Sequence, residues 1–426
     1  MALAVVAAGL ISSAAPVPAM AKISTPQRLY DEVWRLINAR FVDPSDNGQE
    51  WYIWRHRYDE QLQTEEDAYV AIRSMLASLD DRYTRFLDPK EFDEEGQSIR
   101  ATLFGIGIQI GSKDGKIVVI SPIEDTPAER AGLKANDIIS QIEGEETEGW
   151  TTSQAADKIR GEKGSPVKLT VIRGKEKPKI YTIIRDEIKL KSVYTEPPVN
   201  LKPNIGYIRI SSFLSKQAST EFKEAYEAQS AKDGFILDLR SNPGGLLSNA
   251  ITIANYFLPQ GGIVSTVDRD GYKETRFAGG GVLTGKPLVV LVNEGSASAS
   301  EILSGALRDN NRALLVGHKT FGKGLVQEIN ALPGGSGVNI TTQKYLTPND
   351  TDINKVGIIP DIHVDMPDLK SHEPYNPKVH GDPQLSKAES VLMDLIAGKS
   401  LKYLQTRSLI ERVEKDDFEP EEAELN

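Results

Sequence analysis

The chain has 426 residues, no cysteine and a formal net charge of −11. The lack of cysteine excludes disulfides, zinc–thiolate centres and cysteine nucleophiles. The acidic balance argues against a partner held by its phosphate backbone, so no nucleic acid is expected. At this length two or three domains are expected, with 39% hydrophobic residues to fill their cores.

Residues 1–21, MALAVVAAGLISSAAPVPAMA, carry an apolar stretch ending in Ala19-Met20-Ala21. This is the pattern of a signal peptide with an A-x-A cleavage site, although the basic leading region is missing. As a membrane span it is short and is interrupted by Pro16 and Pro18. Export is the expectation.

Residues 22–98 read as a helical region, with Leu29, Val33, Leu36 and Ile37 on one face and Ala68, Ala71, Ile72 and Met75 on another. From about 99 to 188 the texture changes to short β runs. FGIGIQI at 104–110 leads into Asp114-Gly115, a hairpin signal, and then 116–120. Thr126 is placed to cap a short helix with Pro127 at its first position, and a second short helix is expected over 153–159. The glycines of 105–111 give GxGxxxG with strand-like residues after them, so a dinucleotide fingerprint is rejected.

After a polar connector from 189, strands and helices alternate in α/β fashion. Strands are expected at 205–210, 235–239, 288–292 and 313–316, and helices at 215–228, 250–257 and 300–307. Beyond 366 a proline-rich stretch precedes helices at 385–395 and 399–413, and the chain ends in an acidic run that reads as a solvated tail.

The run LVVLVNEGSASASEIL at 288–303 carries the chemistry. A buried strand, a turn of small residues and an amphipathic helix together present serines at a helix N-terminus, where backbone N–H groups meet developing negative charge. Ser296, Ser298 and Ser300 all compete for a nucleophilic role, and plain helix capping is the simplest account of any one of them. A base is available in TFGKGLVQ at 320–327, where Lys323 sits between glycines near Phe321, Leu325 and Val326. A lysine base must be held neutral, which an apolar surround favours. His318 with Asp309 offers a triad on paper. The five histidines show no HExxH or other metal spacing, so no metal and no cofactor are expected.

Several segments together resemble the carboxyl-terminal processing (tail-specific) peptidases. They are LDDRYTRFLDP, FGIGIQI with ERAGLKANDIISQIEG, LDLRSNPGGLL, NEGSASASEILSGALRDNNRALLVGHKTFGKGLVQ and YLTPNDTDINKVGIIPDI. Their wording is similar to cyanobacterial and plastid members, and Arg82 stands where a proline is frequent. The resemblance implies an α/β multidomain fold: a signal peptide (1–21), an N-terminal helical region (22–98), a PDZ-like β module (99–188), an α/β peptidase core with a mixed sheet (189–366) and a C-terminal tail (367–426). It implies a serine endopeptidase with Ser298 as nucleophile and Lys323 as base. Gln327, one helical turn on, would orient the lysine, and the N–H groups of Gly244 and Ala299 would form the oxyanion hole. Phe104, Gly105, Ile106 and Gly107 would hold a substrate's terminal carboxylate while its chain adds to a strand edge.

The implied partners are proteins with accessible C-termini, including a membrane protein, the photosystem II reaction-centre precursor. The implied location is the periplasm or thylakoid lumen. The sequence leaves the oligomeric state open. The alternative from another class is a catalytically silent PDZ scaffold, which has no use for Lys323 or Gln327.

Overall fold

The computed structural model describes residues 25–100, 102–113, 115–123, 126–174, 176–189, 191–367 and 377–416. The expected signal peptide and the end of the acidic run lie outside them. No helix among the described residues is long and apolar enough to cross a membrane. The chain forms two compact units, one of residues up to Asp93 with Gln327–Thr341, the other of Glu94–Val326 with the chain from Thr342 onward.

In the first unit, helices Pro26–Arg40 and Glu65–Ala77 share a core. Thr25 caps the first helix, accepting from the Arg28 N–H. Thr64 and Asp67 close a reciprocal capping box on the second, which satisfies two N–H groups that a helix start leaves without acceptors. Their apolar faces bury Tyr30, Val33, Ile37, Ile72 and Met75. The sequence pattern does not anticipate that Leu332, Val338 and Ile340, far along the chain, complete this core. Within the LDDRYTRFLDP motif, strand Arg85–Leu87 pairs antiparallel with Gly337–Asn339, and Asp81 accepts from the Thr84 hydroxyl at 2.7 Å.

The second unit begins with an antiparallel module. Its sheet runs Ile108–Lys113, Lys116–Pro122, Ile138–Ile142, Pro166–Ile172 and Lys179–Ile184 in spatial order, with Ile108–Lys113 at one edge. Val167, Leu169 and Val171 alternate inward onto Ile117, Val119 and Ile139, the period-two pattern of a sheet with one buried face. Helix Thr152–Ile159, held by a Thr151–Gln154 capping box, closes the core with Ala155 and Ile159.

The α/β part is a six-stranded sheet in the order Val193–Tyr194, Ile205–Ile210, Gly234–Asp238, Leu288–Val292, Leu314–Gly317, Ile362–His363. The first strand is antiparallel and the rest parallel, so the sheet is mixed, as expected. Strand Leu288–Val292 is buried along its whole length, because both faces are covered. Helices Ala218–Glu227, Leu247–Asn255 and Ala299–Asp309 cover one face. Helix Pro383–Ile396 covers the other with Leu385, Ala388, Val391 and Leu392. The chain beyond 366 therefore supplies part of the core. Arg240 fixes this helix to the sheet, bonding both Asp238 (2.7 Å) and Asp382 (2.9 Å).

Candidate active site

Ligand-binding loops in parallel sheets gather at the C-terminal ends of the strands, and the motif segments do so here. LRSNPGG follows Gly234–Asp238, NEGSAS follows Leu288–Val292, and HKTFGKG follows Leu314–Gly317.

The three serines separate cleanly. Ser296 is fully buried and donates to the Leu239 carbonyl at 2.8 Å. Ser300 is fully buried and donates to the Asn242 carbonyl at 2.9 Å. Both side chains fasten the turn to the neighbouring LRSNPGG loop. Ser298 is partly exposed and occupies the N-cap of helix Ala299–Asp309, at φ 54° and ψ −113°. A non-glycine residue there costs on the order of 1–3 kcal/mol and is kept only where the surroundings enforce it.

The enforcement comes from Glu301, whose side chain is wholly buried. One carboxylate oxygen accepts the Ser298 N–H and the Lys323 N–H, both at 2.9 Å. The other accepts the Thr320 hydroxyl at 2.6 Å and the Gly322 N–H at 2.7 Å. Glu301 thus binds the serine turn to the lysine loop through four donors. The buried Tyr345 repeats the link, its hydroxyl contacting the carbonyls of Ser298 (3.2 Å) and Lys323. In sequence Glu301 reads only as part of a helix start. The S-x-x-E spacing of a capping box was the available signal, but nothing local showed that its carboxylate also gathers the lysine loop. Tyr345 left no local signal.

Gly244 lies against this turn, where an added Cβ would stand 2.9 Å from Ser298 Cβ. Its N–H donates to Asn242 Oδ1 at 2.9 Å. Ala299 is the first residue of the helix, so its N–H has no acceptor within the helix.

Two expectations need correction, on Phe321 and Gln327, and the alternative pairing of His318 with Asp309 meets other neighbours. Phe321 is 46% exposed, so it does not wall the lysine off from water. Gln327 lies on strand Leu325–Ala331, where its amide donates to Thr341 Oγ1 at 3.3 Å; a helical-turn relation to Lys323 does not hold. His318 is partly exposed and stands 3.8 Å from Glu294, while Asp309 accepts the Asn349 N–H at 3.0 Å. Each therefore has a neighbour other than its supposed triad partner.

In the antiparallel module, Phe104, Gly105, Ile106 and Gly107 line a groove of about 100 Å³ with Ile110, Ile123, Ile159 and Ile188. Gly107 adopts φ +77°, and a Cβ there would stand 2.3 Å from Thr126 Cβ. Thr126 does not cap its helix through its side chain. Its hydroxyl instead donates to the carbonyls of Gly107 (3.1 Å) and Ile123 (2.6 Å), fixing the shape of the loop. Next to the loop is the edge strand Ile108–Lys113, whose outer backbone groups can take an added strand.

The model of peptidase family S41 matches residues 204–364, and that of a PDZ domain matches 118–173. A carboxyl-terminal-processing protease of Synechocystis sp. is 40% identical over 392 residues, which cover 89% of each chain. The chloroplastic carboxyl-terminal-processing peptidase 2 of Arabidopsis thaliana is 39% identical over 350 residues, covering 78% of this chain and 68% of its own. A solved photosystem II D1 C-terminal processing protease superposes with a TM-score of 0.54 at 32% identity, covering 84% of this chain and 98% of the other.

Proposed function

The chain belongs to peptidase family S41 and is a C-terminal processing serine peptidase, and from that premise we propose that Ser298 is its nucleophile and Lys323 its general base. The supporting observation is the carboxylate of Glu301, which holds the backbones of both residues, while the neighbouring serines are committed to structural bonds. Neutral Lys323 takes the Ser298 hydroxyl proton as Oγ bonds to the scissile carbonyl carbon. The C–N bond then breaks, the proton passes to the leaving amine, and water deprotonated by the lysine releases the acyl group. The Ala299 N–H at the helix start, joined by that of Gly244 once Asn242 releases or shares it, stabilises the oxyanion. Gln327 serves as an orienting residue for the lysine.

The groove at 104–107 takes the substrate's terminal carboxylate and an apolar last side chain, and the preceding residues extend along Ile108–Lys113. The reading divides the chain into an exported leader, the helical region, the PDZ-like module and the α/β core, and places it in a periplasm or thylakoid lumen. Its substrate in this reading is a photosystem II reaction-centre precursor, a membrane protein. That assignment is supported by the similarity to the solved photosystem II D1 C-terminal processing protease. Incubation with the precursor's tail peptide is expected to give one cut at a fixed distance from the end. Degradation of unrelated tails at equal rates, with the precursor tail left whole, would replace maturation by general quality control.

A further inference from the structure

The five histidines show no metal spacing in sequence, yet the fold brings two of them together. His318 follows strand Leu314–Gly317, and His363 lies on the neighbouring strand, directly opposite Gly317. Their rings are 5.1 Å apart between centroids. Asp365, two residues on, places Oδ1 2.9 Å from His363 Nε2. One ligand atom from each of His318, His363 and Asp365 falls within 4.8 Å of the others. From the third adjacent strand end, Glu294 brings Oε2 to 3.8 Å from His318 Nδ1. That nitrogen is buried and has no hydrogen-bond partner, a cost that a coordinated ion would remove.

We propose that His318, His363 and Asp365, with Glu294 as the fourth ligand, form a binding site for one Zn²⁺ ion. Two imidazoles with carboxylates suit a borderline ion such as Zn²⁺, whereas Mg²⁺ and Ca²⁺ take oxygen donors. Tetrahedral Zn²⁺ with bonds of about 2.0–2.2 Å holds its donors about 3.3 Å apart, so the cluster has to contract. The side chains that move are at the surface: those of His363 and Glu294 are 38% and 75% exposed. The ion would join the ends of three neighbouring strands. From two of these the chain runs directly on, Glu294 to Ser298 and His318 to Lys323. The site modulates the peptidase by stiffening these loops and takes no part in the bond-breaking step.

The test is calorimetric titration of the chelator-treated full chain with ZnCl2, and with MgCl2 as control. The expected result is one equivalent of Zn²⁺ per chain and no Mg²⁺ binding at similar concentration. His318→Ala and His363→Ala are each expected to weaken Zn²⁺ binding by at least about tenfold, and His56→Ala, at an exposed His–Asp pair elsewhere, to leave it unchanged. Bound Zn²⁺ should also raise the melting temperature of the unaltered chain and slow amide exchange over 318–324. Circular dichroism checks folding. His363 lies on a two-residue edge strand, so its variant carries the test if His318→Ala misfolds. Absence of a saturable equivalent in the unaltered chain would overturn the site, and so would equal affinity in a folded His363→Ala variant.

Discussion

Replacing Glu301 by Gln changes one atom of a buried group and tests how the serine and lysine are held. The carboxylate accepts four hydrogen bonds, two at each oxygen. Gln keeps one accepting oxygen and turns the other position into an NH2 that faces two donors. Two charge-assisted bonds are lost at about 1.5–3 kcal/mol each, giving about 3–6 kcal/mol before relaxation. Relaxation frees the 320–323 loop or lets Ser298 leave its strained conformation. At about 1.4 kcal/mol per tenfold, kcat on a fixed tail peptide should fall by about 10²–10⁴. Hydrogen exchange at Gly322 and Lys323 should quicken while circular dichroism shows a folded core. A variant with kcat within threefold of the unaltered enzyme, and unchanged exchange at those two amides, would refute the positioning role.

Other changes probe separate parts of the molecule. Tyr345→Phe removes the hydroxyl that contacts the Ser298 and Lys323 carbonyls and should lower kcat about fivefold with KM nearly constant, since one net hydrogen bond is worth about 1 kcal/mol; steady-state kinetics checks this. Gly107→Ala forces a Cβ to 2.3 Å from Thr126 Cβ at φ +77°, so binding of a C-terminal peptide, read by fluorescence anisotropy, should weaken at least tenfold while a tail-less substrate is cut normally. In the same module burial acts to raise the Asp137 carboxyl, but hydrogen bonds from Arg173 and the Lys134 N–H outweigh it and hold it below the usual carboxylate range. A depressed folded-state pKa contributes stability that is present above the unfolded value near 3.8 and lost as pH falls through the lower folded value. Acid unfolding followed by circular dichroism should therefore soften in Asp137→Asn, whose stability at neutral pH should drop because the charge-assisted bonds from Arg173 and the Lys134 N–H are lost.

The sequence was informative where one segment carries its own pattern. Strand 288–292 is apolar on both faces, which only a covered parallel strand explains, and its bounds agree with the structure. The turn SASAS and the helix after it follow from small residues and an S-x-x-E start. Less was legible wherever a contact joins distant parts of the chain. Tyr345 and the Ser298 turn meet only through sheet formation, as do His318 and His363. Helix Pro383–Ile396 reads as an amphipathic tail until the bare second face of the sheet is seen. Phe321 misled because its apolar character says nothing about which way a loop turns it. The four-residue spacing from Lys323 to Gln327 was given a helical meaning on what is a strand.

The pairing of Ser298 with Lys323 is tested most directly by digesting an unfolded protein that has a free, apolar carboxyl terminus. The unaltered enzyme is compared with Ser298→Ala, Lys323→Ala and His318→Ala, each checked for folding by circular dichroism. The account predicts cleavage by the unaltered enzyme and by His318→Ala, and none by the other two. Cleavage that survives Lys323→Ala and is lost in a folded His318→Ala would contradict it, and would make the base a histidine.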